Sequence, residues 1–127
     1  MITDELITYE VAKLAKEKGF NERTRRYYEA NCVNPKAIEH CTGANCFNKY
    51  PKAVSAPTQS SLQRWLRDNR FVEVEVRHWP ETNKYPHHYG WEGKDNLGDL
   101  MSYSSKMFDT YEQALEDALK YALENLV

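Results

Sequence analysis

The sequence predicts an α+β fold, and three observations carry that expectation. In the stretch 55–69, SAPTQSSLQRWLRDN, Leu62, Trp65 and Leu66 fall at i, i+3 and i+4 and make one apolar helical stripe. Immediately afterwards the period changes to two, with Val72, Val74 and Val76 alternating with Glu73, Glu75 and Arg77. Towards the C-terminus Tyr111, Leu115, Ala118, Leu119, Ala122 and Leu126 return to helical spacing. The expected order is an N-terminal helix, an irregular central segment able to hold a hairpin, then helix, three-stranded antiparallel sheet and helix. A chain of 127 residues suits one domain with a modest core, so residues 1–127 are expected to form a single domain, with 57–127 its best-defined part.

The elements follow in order. Thr8 can cap a first helix that runs to Lys18, burying Val11, Leu14 and Ala15 and exposing Glu10, Lys13 and Glu17. Gly19 suits the left-handed residue that ends a helix, and Phe20 can fold back on the last turn. Segment 21–30 holds Arg23, Arg25, Arg26, Tyr27 and Tyr28, and fits a short helix or an extended stretch. Asn34-Pro35 and the tract Thr42-Gly43-Ala44-Asn45 are turn material, so 37–41 and 46–50 are candidate hairpin arms. Pro57 suits the first turn of the central helix, with Ser55 or Thr58 as its cap.

After Val76, residues 80–84 read as a loop. A second strand is expected at 85–92, its start held to an edge or bulge by Pro86. Residues 93–99 form a polar turn and 101–108 a third strand. Thr110 with Gln113, or Asp109 with Glu112, makes a capping box for the last helix.

Composition narrows the function. With 41% hydrophobic and 28% charged residues the chain has a globular balance, which excludes wholesale disorder. A net charge of −2 gives the whole chain no electrostatic footprint for nucleic acid. The charge is uneven: residues 1–70 carry 12 Lys/Arg and 8 Asp/Glu, and residues 71–127 carry 5 and 11. Opposite halves of this kind are expected to face each other, within the fold or across a homodimer. Nine tyrosines and three tryptophans can supply core area or an interaction surface. The acidic N-terminus has no apolar signal-peptide core, and no apolar run approaches the roughly 20 residues that span a bilayer. An odd count of three cysteines argues against a disulfide framework, and the expected location is a reducing cytoplasm.

Cys32, His40, Cys41 and Cys46 cluster in sequence, but the spacing Cys-x8-Cys-x4-Cys lacks the close pairs of structural zinc sites. They are read as ordinary thiols and an ordinary histidine, with no metal and no cofactor. His78, His87 and His88 are read as surface residues. Cys32 or Cys46 with His40 lacks the third, orienting group of a nucleophile pair. There is no Gly-rich phosphate loop, HExxH, GxSxG or carboxylate run, so an enzyme is not expected.

Three resemblances bear on function. With ITYEVAKLAKEKGF, SAPTQSSLQRWLRD and FDTYEQALEDALKYAL, the chain resembles a family of small proteins encoded by gut bacteria and their phages and prophages. The likeness covers both ends and the middle, and is missing from 31–50 and from the strands. That family has no assigned activity, so the resemblance implies a genomic context and an architecture. Residues 9–29, with EVAKLAKEKGF and RTRRYYE, resemble the helix-turn-helix of MerR-type regulators. On that likeness Arg23, Thr24, Arg26, Tyr27 and Tyr28 match the DNA-facing and wing-proximal motif, whereas Arg25 stands where that family seats an apolar residue. The order helix–strand–strand–strand–helix from 57 to 126 is similar to the double-stranded-RNA-binding fold. Asp109 and Glu112 sit where that family meets phosphate, so RNA binding does not follow.

The expectation is therefore a non-enzymatic, mobile-element-related binding or accessory protein that contacts an unidentified protein partner and no membrane. Gln63, Arg64, Arg67 and Arg70 on the central helix are the candidate surface. The alternative is a DNA-binding regulator that uses Arg23, Arg25, Arg26 and Tyr27.

Overall fold

The computed structural model describes residues 5–30, 33–40, 43–78, 89–95, 97–104 and 107–127. The class is α+β, with helices accompanying two antiparallel sheets of three strands each among the described residues. The chain divides into two compact units, Met1–Thr58 and Gln59–Val127.

In the first unit, helix α1 (Tyr9–Glu17) starts at Thr8, whose Oγ1 accepts the Val11 N–H at 3.3 Å. It ends at Gly19, with φ 93°, and the Phe20 N–H returns to the Ala15 carbonyl at 2.9 Å. That fold-back buries Phe20 to 2% exposure, as a left-handed C-cap allows. Val11, Ala12 and Ala15 form the buried stripe, and the expected Leu14 is only half-buried.

Strands β1 (Arg26–Glu29), β2 (Ile38–Glu39) and β3 (Ala53–Ser55) form a sheet in the order β2-β1-β3, both pairings antiparallel. The Tyr28 hydroxyl donates to the Ile7 carbonyl at 2.7 Å, and its ring meets Tyr9 edge-on at 5.6 Å. Lys16 Nζ donates to the carbonyls of Tyr50 (2.8 Å) and Ala53 (2.7 Å), so one ammonium ties the last turn of α1 to the start of β3.

Three expectations are corrected in this unit. The proposed hairpin between 37–41 and 46–50 does not form. β2 pairs with β1 instead, and Phe47–Lys49 is a single 3₁₀ turn. Side chains supply what a ladder would have supplied there. The Phe47 N–H donates to Ser55 Oγ at 3.1 Å, the Ser55 N–H to Asn48 Oδ1 at 2.7 Å, and Asn48 Nδ2 to the Phe20 carbonyl at 2.9 Å.

Ser55 therefore belongs to β3 and does not cap the central helix. The MerR-like helix-turn-helix is also absent, because 26–29 is the middle strand of the sheet. Two adjacent tyrosines favour a pleated, half-buried surface, and partners on both sides fix the extended state.

In the second unit, α2 (Gln59–Arg70) leads into β4 (Glu73–His78), β5 (Tyr89–Lys94), β6 (Leu100–Tyr103) and α3 (Tyr111–Tyr121), which continues as a π-turn over Ala122–Leu126. The sheet order is β4-β5-β6, antiparallel throughout, with a register slip between Gly93 and Lys94 on the β6 side. Leu62, Trp65 and Leu66 are buried to 2% exposure or less and pack towards β4 and α3. Val74, Trp91, Leu115, Ala118, Leu119 and Leu123 complete that interior.

Polar atoms in this core find partners. The Trp91 indole N–H donates to Asp117 Oδ2 at 2.8 Å. Buried Gln59 donates to the Glu112 carbonyl at 2.9 Å and to Glu116 Oε1 at 3.1 Å. At Gly93 an added Cβ would meet Leu126 Cδ1 at 3.3 Å, so glycine lets the terminal turn lie close against β5. Thr110 Oγ1 accepts the Gln113 N–H at 3.1 Å, as the capping reading required.

β5 reaches Lys94, two residues past the expected end, which shortens the predicted polar turn. β6 ends at Tyr103, and Phe108 returns only as an isolated bridge to Tyr89. The expected loop 80–84 and the start of the second strand, 85–88, lie outside the described residues.

Leu66→Ala is expected to destabilise the chain by about 2–5 kcal/mol, because a fully buried leucine leaves a cavity. Thr110→Ala is expected to cost ~1 kcal/mol through the lost cap. Urea unfolding followed by circular dichroism measures both, and equal losses for the two would contradict this core.

Candidate functional site

The polar residues in the row on α2 have unlike surroundings. Gln63 turns inward and donates to the Val74 carbonyl at 2.7 Å, so it helps dock α2 on β4. The Arg70 guanidinium lies 5.2 Å from the Trp65 ring centroid and covers the edge of the core. Arg64 is exposed. Arg67 stays about half exposed beside Asp68 at 3.4 Å and lines an open groove.

That open groove, about 460 Å³, is lined by Arg67, Phe71, Glu73, Asp95, Leu97 and Gly98. Two local devices build it. The first is Phe71, which turns the chain from α2 into β4 with φ 58°. A non-glycine residue in the left-handed region costs on the order of 1 kcal/mol. The following Val72 N–H bonds the Leu66 carbonyl at 3.2 Å, satisfying a group at the end of α2. The ring meanwhile stands 62% exposed.

The second device is the 95–99 turn. Asp95 Oδ1 accepts the N–H groups of Leu97 and Asp99, both at 2.9 Å. The Asp95 N–H donates to the Asp99 carbonyl at 3.0 Å, and the Gly98 N–H to the Asp95 carbonyl at 3.1 Å. Gly98 has φ 84°, which glycine adopts without strain. This internally bonded turn carries Leu97 at its tip, 80% exposed.

Leu100, Met101 and Tyr103 of β6 continue the exposed apolar margin at 55%, 48% and 70%. The register places Glu73, Lys94 and Leu100 in one cross-strand row, and Glu75, Glu92 and Tyr103 in the next. Beside the margin therefore lies a lattice of mixed charge. Arg77 meets Glu92 at 3.1 Å and Glu75 at 3.8 Å, and Lys94 meets Glu75 at 3.1 Å and Glu92 at 4.0 Å. Large apolar side chains gathered on a solvated face are a usual mark of an interaction site.

The other sequence candidates are scattered. Arg23, Arg25 and Arg26 are exposed, and strand alternation sends Arg26 to the opposite face from Tyr27. Tyr27 stacks on Phe47 at 4.6 Å with His40 at 6.5 Å, so it closes a small aromatic cluster. Tyr27 and Tyr50 line a second open groove with Glu29 and Lys52, a carboxylate beside a cation.

Cys46 is a half-buried free thiol. His40 lies 5.3 Å from the Phe47 ring. Cys32 and Cys41 lie outside the described residues, and among those described no group of three His, Cys, Asp or Glu is placed to hold a metal. His78 packs at 4.8 Å against Tyr89, while His87 and His88 lie outside the described residues. No helix of the described residues is long and apolar enough to cross a membrane.

The sequence reading missed Phe71, Leu97, Leu100, Met101 and Tyr103. Their signal was the presence of large apolar residues beside a helix end and inside a polar turn, where burial was not on offer. No family model, curated protein or solved structure matches this chain.

Phe71→Gly is expected to raise unfolding stability by up to ~1 kcal/mol by relieving the left-handed backbone, whereas Phe71→Ala keeps the strain and changes it by less than ~0.5 kcal/mol. Denaturant midpoints of the two variants and the wild type test this: a Phe71→Gly variant less stable than Phe71→Ala contradicts the backbone strain, and a Phe71→Ala variant well below the wild type would show that the ring itself holds the turn.

Proposed function

We propose that this chain is a non-enzymatic binding protein that acts through protein–protein contact, as an accessory of phage or other mobile-element biology. One observation carries the binding reading. Leu97 is left largely exposed with its N–H bonded to the Asp95 carboxylate, in a groove with an exposed Phe71 whose backbone conformation is costly. Large apolar side chains carried on a backbone that is already fixed need less ordering on docking, which is one way a few anchors come to dominate an interface. The resemblance to small proteins of gut bacteria and their phages and prophages supports the biological setting.

On this reading the contact surface is the margin from Phe71 through Leu97 to Tyr103, with Arg67 at its rim. Arg70 is then secondary, since its guanidinium lies on Trp65. The regulator alternative through Arg23, Arg25, Arg26 and Tyr27 now lacks a recognition helix. Steeply salt-dependent binding to mixed-sequence DNA is the result that would restore it.

A photo-crosslinking residue in place of Leu97 is expected to capture a defined protein in host cells, and the purified pair is expected to bind in a fixed ratio by calorimetry. Leu97→Glu should weaken that binding at least tenfold, and Arg64→Ala should leave it within twofold. Equal effects of the two substitutions would overturn the assignment of the surface.

A further inference from the structure

The groove beside β1 and β3 has walls, a floor and a charge pattern that suit one kind of small molecule. We infer that it binds a nucleoside monophosphate whose base is rich in hydrogen-bond donors, guanine foremost. The inference goes beyond the protein–protein reading and does not depend on it.

Shape comes first. Tyr27, Glu29, Ala30, Tyr50, Lys52 and Ala53 line an open groove of about 480 Å³, inside the roughly 300–1,000 Å³ usual for small-molecule sites. The β1–β3 register sets Glu29 opposite Ala53 and Tyr27 opposite Ser55, so Tyr27, Glu29 and Ala53 share one face of the sheet. Ala30 and Ala53 carry only a methyl group each, which keeps the floor low between the two tyrosines. Tyr27 is held in place by stacking on Phe47 at 4.6 Å, and Tyr50 is 46% exposed. Two aromatic rings beside a floor of small residues offer contact area to a planar base of any kind.

Charge narrows the ligand. Lys52 lines the groove, Lys49 Nζ lies 5.2 Å from the Tyr50 ring centroid, and Lys16 Nζ donates to the carbonyls of Tyr50 and Ala53. Glu29 is the one carboxylate among the six lining residues. Glu17 and Lys13 line a neighbouring groove that shares Ala30, and their charges offset each other. The surroundings favour a ligand of net negative charge that also brings donors for a carboxylate. Neither Glu29 nor Lys52 makes an ion pair among the described residues, so both charges are open to a ligand.

Phosphate and base divide these roles. The Lys52 ammonium meets phosphate as a point charge. A simple anion would satisfy the lysines but meet Glu29 with like charge. An ionised carboxylate only accepts hydrogen bonds, so Glu29 favours the base edge with most donors. Guanine presents its ring N–H and its exocyclic amino group side by side, which matches the two carboxylate oxygens. Uracil sets its ring N–H between two carbonyls, which repel a carboxylate. The tyrosines contact either base alike, so the discrimination falls to Glu29.

Proton–nitrogen correlation spectra of the full chain test this during titration with guanosine monophosphate, uridine monophosphate, guanosine and inorganic phosphate. The guanine nucleotide is expected to shift the amides of 27–30 and 50–53 with a Kd on the order of 0.1–1 mM, as suits a ligand of its size in an open groove. Uridine monophosphate and guanosine should each bind at least about threefold more weakly. Glu29→Gln should bring the two nucleotides within about twofold of each other, and Lys52→Met should do the same for the guanine nucleotide and guanosine. Loss of structure does not produce such changes in selectivity.

No shift at about 10 mM nucleotide, or shifts outside both segments, overturns the proposal. So does inorganic phosphate that shifts the same amides as strongly as the nucleotide, because the base then contributes nothing. A nucleotide affinity unmoved by both Glu29→Gln and Lys52→Met overturns this site. A guanine-containing single-stranded oligonucleotide that binds the same amides at least about tenfold more tightly identifies a nucleic-acid strand as the source, and one that binds no tighter identifies the free nucleotide.

Discussion

Much of the second unit depends on how one face of α2 is buried. Leu62, Trp65 and Leu66 reach the interior from a helix that is otherwise strongly polar, and Gln63 fastens the same helix to β4 through the Val74 carbonyl. Apolar burial supplies the drive and is not directional, whereas the amide contact sets the height at which helix and strand meet. Once that height is fixed, the chain has two residues, Phe71 and Val72, in which to leave α2 and enter β4. The left-handed backbone of Phe71 is the outcome of that short connection.

The sheet passes the same constraint onward. α3 covers β4 and β5 from the Val74 and Trp91 side, with Asp117 taking the indole N–H. The opposite side of the strands carries the lattice of Glu75, Arg77, Glu92 and Lys94, whose members are all partly solvated. Such pairs contribute little stability individually. Their arrangement has more bearing on which surface can approach, since sign alternates over short distances.

Helices were readable from the sequence because their signals are local. Thr8, Gly19 and Thr110 each act within one turn, and the stripes of α2 and α3 repeat within a dozen residues. β4 was readable for the same reason, since Val72, Val74 and Val76 alternate without interruption. The first sheet was not. Its strands are two to four residues long, and β1 is defined by partners at 38–39 and 53–55 that no short-range pattern announces. The Asn48 and Ser55 side chains further disguise the segment around Phe47, because they replace a ladder with side-chain bonds.

The candidate surface escaped the sequence reading for a different reason. Charged residues in a helical row drew attention to Arg64, Arg67 and Arg70, whereas their surroundings assign them unlike roles. What distinguishes Leu97 and Phe71 is exposure, a property that residue type alone does not reveal.

Phe71 has an evolutionary corollary. Glycine would occupy its backbone geometry freely, and so would asparagine at small cost. A lineage drifting under selection for fold integrity alone should exchange the aromatic for one of these. Retention of a large ring at this corner among descendants would therefore register a pressure exerted from outside the molecule, and its disappearance would mark lineages released from whatever they once met there.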